Sequence, residues 1–138
     1  MHPTLAKIEI FQEKWEAERE KLVTEFKENF NNFFSEIFEK YPKLNAFKFT
    51  AYTPYFNDGE ACEFSVNDVY DVLTDDNEDF KDVYSYKGIE KEMIEEVLGE
   101  INEIIFAVDS SFYKESFGDH IEISVYRNKI ETEDYSHD

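Results

Sequence analysis

The 138-residue chain is long enough for one domain, and its 41% hydrophobic and 17% aromatic content, with fourteen Phe and nine Tyr, excludes a disordered polymer. Thirty-three acidic against fourteen basic residues give a formal charge of −19. That leaves no basic patch to neutralise phosphates and excludes a conventional nucleic-acid binder. No apolar run approaches the ~18 residues of a membrane span, no leader-like pattern opens Met1-His2-Pro3-Thr4, and the single Cys62 has no internal disulfide partner, so the chain reads as a cytoplasmic protein.

Residues 4–40 read as one long amphipathic helix. Ile8, Phe11, Trp15, Leu22, Phe26, Phe30, Phe33 and Ile37 recur at steps of three and four, interrupted at Arg19. Pro3 suits a first turn and Pro42 marks the stop. At 1.5 Å per residue the helix would extend roughly 55 Å, against a radius of gyration of about 14 Å for a globule of this size. It should therefore overhang its own core or break near Asn29 to Asn32. The overhanging stripe, residues 5–22, needs a partner, and a second copy of the chain is the simplest one.

A hairpin follows. Phe47, Phe49 and Ala51 alternate with Lys48, Thr50 and Tyr52, and Cys62, Phe64 and Val66 alternate with Glu63 and Ser65, with Asn57-Asp58-Gly59 suited to the reversal between them. Pro54 points to an edge or a bulge. Residues 67–88 read as an acidic loop centred on Asp75-Asp76-Asn77-Glu78-Asp79, although Val69, Tyr70, Val72 and Leu73 could continue the sheet. A second helix is expected from Ile89 to about Phe112, burying Ile94, Val97, Leu98, Ile101, Ile104, Ile105 and Val108. Beyond Gly118, strands at 121–126 and 130–135 turn at Asn128-Lys129. The order α-β-β-α-β-β predicts a single α+β domain: a four-stranded antiparallel sheet with helices packed on one face.

Charge is unevenly distributed. Residues 1–57 hold nine acids and eight bases, whereas residues 58–82 hold ten acids and only Lys81; the last 81 residues together carry −18. One reading makes this a solvated surface that keeps a Phe-rich protein soluble; twelve lysines argue against a halophilic origin. The sharper reading makes it an imitation of the phosphate array of a nucleic acid, which needs dense carboxylates on a rigid frame and would attract a basic protein surface. The residues that would carry it are Asp68, Asp71, Asp75, Asp76, Glu78, Asp79 and Asp82, with Glu92, Glu96, Glu100 and Glu103 of the second helix. Tyr52, Tyr55, Phe56, Tyr84 and Tyr86 border this segment and could add cation–π contacts, or could pack beneath it.

Catalytic and metal patterns are weaker. Asp75, Asn77 and Asp79 have the spacing that opens an EF-hand loop, but Phe80 and Tyr86 stand where the required Gly and Glu belong. Cys62, His120 and Asp119 could be drawn as nucleophile, base and orienter, without support from their spacing. His2, His120 and His137 are too scattered for a zinc site, and no glycine-rich phosphate loop occurs among four glycines. A non-enzymatic protein without cofactor is expected.

Two stretches carry a resemblance. Thr53-Pro54-Tyr55-Phe56-Asn57-Asp58-Gly59-Glu60-Ala61-Cys62-Glu63-Phe64-Ser65-Val66 resembles a segment of a family of small uncharacterised acidic proteins encoded in bacteriophage and bacterial genomes. The tail from Phe117-Gly118-Asp119-His120 to His137-Asp138 is similar to the end of those proteins. The resemblance brings no assigned activity. It implies a phage-type inhibitor of a host defence or nucleic-acid-binding protein, working in the host cytoplasm by phosphate mimicry. The alternative expectation is a dimeric adaptor that works through the long first helix, its acidity serving only solubility.

Overall fold

A computed structural model describes residues 3–54 and 63–135. The chain folds as α+β, with helices α1 (Pro3–Asn29), α2 (Ser35–Lys40), α3 (Gly88–Ala107) and α4 (Ser110–Phe117). Its strands are β1 (Leu44–Tyr52), β2 (Ser65–Val66), β3 (Asp71–Thr74), β4 (Lys81–Asp82), β5 (Ile121–Tyr126) and β6 (Ile130–Asp134).

The long N-terminal helical run both breaks and overhangs. A 3-10 turn over Phe30–Phe34 separates α1 from α2, at the asparagines where competing side-chain hydrogen bonds loosen a helix. Asn29 Nδ2 donates to the Glu25 carbonyl and Ser35 Oγ to that of Asn32. The tighter winding turns Phe30 and Phe34 fully into the core. N-terminal to it, α1 anchors through Phe26, whose ring meets those of Phe30, Phe33, Phe112, Tyr113 and Phe117 at centroid distances of 5.4–6.0 Å. Before Val23 nearly every residue is exposed.

The sheet is antiparallel, in the order β4-β3-β1-β5-β6. Ala51 pairs with both Ile121 and Val66, so β2 lies on the β1 edge that β3 also occupies. Asn67 N donates to the Thr50 carbonyl and Tyr70 N to that of Lys48, bridging β2 to β3 as one interrupted strand. Among the described residues the expected four strands are thus six, and residues 67–88 are not a plain loop. Val69, Val72 and Val83 are buried at 3%, 0% and 6% exposure, enough apolar anchoring to draw the acidic segment into the sheet.

The second helix also differs from expectation. It ends at Ala107 instead of Phe112, because Asp109 leaves the helical conformation and accepts a hydrogen bond from Ser111 N at 2.9 Å, capping α4. Gly118 then ends α4 at φ 98°, ψ −174°, a backbone region open essentially to glycine alone.

One face of the sheet packs on the helices. Phe47, Phe49, Val72, Ile123 and Val125 join Phe30, Phe34, Ile94, Ile101, Ile105 and Tyr113 in one cluster of fully buried or nearly buried side chains. Edge-to-face ring pairs such as Phe34–Phe47 (5.0 Å) and Phe30–Tyr113 (5.6 Å) add about 0.5–1.5 kcal/mol each beyond their burial. Alternation sends Lys48, Asp71, Glu122, Ser124 and Tyr126 to the second face.

Candidate protein-binding surfaces

The acidic segment is organised around the β3–β4 hairpin. Its tip is held by polar contacts that the local sequence supplies. Asp75 N donates to the Lys43 carbonyl, Asn45 Nδ2 to Asp75 Oδ1 (2.8 Å), and Asn77 Nδ2 to Thr74 Oγ1 (2.8 Å) and the Tyr86 hydroxyl (3.0 Å). Asp79 accepts from Phe80 N, and Asp82 caps the following 3-10 turn by accepting from Tyr84 N at 2.7 Å. Asp68, Asp75, Asp76, Glu78, Asp79 and Asp82 remain exposed on this frame. Lys43 approaches Asp76 at 3.7 Å, a surface pair of little energetic weight.

Asp71 departs from the group. It is half-buried on the second face and stands opposite Asp82 in the β3–β4 ladder. Burial, with Asp82 next, pushes its carboxyl up from the ordinary aspartate range, and only Lys48 opposes this appreciably. Lys48 itself lies 3.4 Å from Glu122 and 4.2 Å from the centre of the Phe80 ring. The Tyr70 hydroxyl donates to Glu122, and burial together with that carboxylate raises the phenol far above its usual value. Sequence reasoning missed this network. Its signal was Lys48 itself, a lysine between Phe47 and Phe49 whose charge had to find a partner on the second face.

The helical carboxylates lie along α3. Glu100 accepts from Lys40 Nζ at 2.9 Å, on the flank of α3 nearest α2, and the Lys40 hydrogen bond holds its carboxyl below the usual range. Glu92, Glu96 and Glu103 follow the same side of the helix at successive turns and are exposed. The flank toward β3 carries Asn102 instead, whose Oδ1 accepts from Val69 N. The hairpin tip is tied to Lys43 and Asn45 and Glu100 to Lys40, so acids of the hairpin and of α3 both border the connection between α2 and β1.

Of the bordering aromatics, Tyr84 is 88% exposed, Tyr86 is buried, and Tyr52 stacks on His120 and Tyr135; Tyr55 and Phe56 lie outside the described residues. Cys62, His2 and His137 also lie outside them. Asp119 accepts from Thr53 N and Oγ1, both at 2.7 Å, and from His120 N, which makes it a clasp between the ends of β1 and β5. The Asn77 amide, at the middle of the EF-hand-like spacing, is turned inward to Thr74 and Tyr86. Among the described residues no group of three or more His, Cys, Asp or Glu is arranged to hold a metal ion, and no helix is long and apolar enough to cross a membrane.

A second surface is the overhanging arm. Leu5, Ile8, Phe11, Trp15 and Leu22 are 55%, 46%, 72%, 70% and 58% exposed along α1. At its root, where Arg19 forms a two-point ion pair with Glu115 of α4, a cleft of about 170 Å³ is lined by Trp15, Glu18, Arg19, Leu22, Val23, Phe112 and Glu115. Comparison of the chain with protein-family models, curated proteins and solved structures gives no match.

Proposed function

We propose that the protein is a non-enzymatic inhibitor whose acidic β3–β4 hairpin occupies the basic, nucleic-acid-binding groove of another protein. What supports this reading is the hairpin tip: four carboxylates, Asp75, Asp76, Glu78 and Asp79, stand exposed within five residues on a turn tied to β1 and to Tyr86. A phosphate mimic needs such a frame, because carboxylates on a floppy loop lose ordering entropy on binding. The partner is a basic protein surface, the host-defence or nucleic-acid enzyme that the phage-type resemblance implies. Steering by the −19 charge makes its association fast and sensitive to salt. The working acids are those of the hairpin, with Asp68 and Asp82 at its ends, joined by Glu92, Glu96, Glu100 and Glu103 of α3. Replacing Asp75, Asp76 and Asp79 together by Lys leaves the far-UV spectrum intact and weakens the captured partner on the order of a hundredfold. Undiminished affinity in that variant would refute the site.

The exposed stripe of α1 favours a second reading, an adaptor that docks through its arm while the acidic body supplies solubility. Under it, Trp15→Glu abolishes partner capture and the triple Lys variant does not.

A further inference from the structure

We propose that α1 pairs antiparallel with α1 of a second copy of this chain, about a two-fold axis at Trp15. This rests on the arm reading, which it deepens by naming the occupant of the stripe. Ile8 and Leu22 each lie seven residues, about two helical turns, from Trp15. Antiparallel pairing therefore sets Trp15 against itself and Ile8 of one copy against Leu22 of the other, a self-complementary contact of the kind a two-fold requires. The tip of each arm then reaches the root of the other, where Leu22, Val23 and Phe112 border the 170 Å³ cleft. Leu5 and Ile8 are the apolar side chains delivered there.

Charge selects the same direction. Each acidic body, −18 over residues 58–138, follows the C-terminal end of its arm. Parallel arms would hold the two bodies side by side. Antiparallel arms separate them by most of the length of a 27-residue helix, about 40 Å, several times the ~8 Å screening length at physiological salt. Covering Leu5, Ile8, Phe11, Trp15 and Leu22 removes on the order of 600 Å² per copy, and the cleft contact brings this near the ~800 Å² of a standard interface.

The test is sedimentation equilibrium of the full chain with Trp15, its one tryptophan, as an emission probe. The expected mass is twice 16.5 kDa, with a blue shift of the emission on association. Trp15→Glu, and independently Phe11→Ser, raise the dissociation constant by at least thirtyfold, the scale of an interface hot spot, with the circular dichroism of the fold retained. Small-angle X-ray scattering reads the direction: antiparallel arms set the two bodies at opposite ends of an elongated particle about 40 Å apart, and parallel arms hold them side by side. A monomer at about 100 μM, a dimer indifferent to Trp15→Glu, or a particle with the two bodies side by side overturns the proposal. If a monomeric wild type still captures a partner through Trp15, the arm reading stands while the pairing falls.

Discussion

Two aspartates facing each other across a strand ladder work against the fold that holds them. Asp71 and Asp82 are such a pair, and burial adds to the cost at Asp71, whose carboxyl is raised above its unfolded value. A raised carboxyl favours the protonated form, so its contribution to stability is present below the unfolded pKa near 4 and lost as pH rises through the folded one. Asp71→Asn should therefore stabilise the protein at pH 7 by about 0.5 kcal/mol, the scale of a like-charge cross-strand pair, and the gain should vanish below about pH 4. Urea midpoints at the two pH values measure this. The tyrosines set the alkaline limit. Burial, then the neighbouring Glu100 carboxylate, pushes the Tyr41 phenol to about 12, and burial raises Tyr70 and Tyr113 as well. These groups stabilise the fold fully below the unfolded value near 10 and cease to as pH rises through their folded values, so urea midpoints should fall steeply above pH 10. At Tyr113, whose hydroxyl donates to the Ile105 carbonyl at 2.8 Å inside the core, replacement by Phe should cost about 1–2 kcal/mol at neutral pH.

At the level of elements, the turns decide where helices end. Gly118 holds a conformation that a Cβ would strain, so Gly118→Ala should lower stability by about 1–3 kcal/mol in a urea melt, although no atom lies within 4 Å of the added carbon. The same scale shows what could be read in the sequence and what could not. The three- and four-residue spacing of Ile8 through Ile37 is legible as a helix, and its break was legible at Asn29 because asparagines and crowded phenylalanines conflict with an uninterrupted α-helix. The overhang followed from length alone. Asp109-Ser110-Ser111, an N-cap followed by first-turn residues, was equally visible, but the run of isoleucines across residues 101–105 masked it. Strands β3 and β4 were hidden for another reason. Their core consists of Val69, Val72 and Val83, scattered among the seven acids of residues 67–88, whose sequence signal is that of solvent.

For the molecule as a whole, charge dominates. Among the described residues the ion pairs are mostly exposed, as at Lys43–Asp76 and Lys91–Glu95, and contribute little, whereas a net −19 repels itself throughout the body. Raising salt from about 20 to about 300 mM should therefore increase the melting temperature, because screening relieves more repulsion than it weakens attraction. The same salt should release a partner held through the hairpin. The most direct measurement of the central claim is capture of partners from bacterial lysate on the immobilised protein, with DNA as competitor and with low- and high-salt washes. The account predicts a basic nucleic-acid-binding protein that DNA displaces, that high salt releases, and that the Lys variant at Asp75, Asp76 and Asp79 fails to hold. Retention through high salt, indifference to DNA, and undiminished capture by that variant would contradict it.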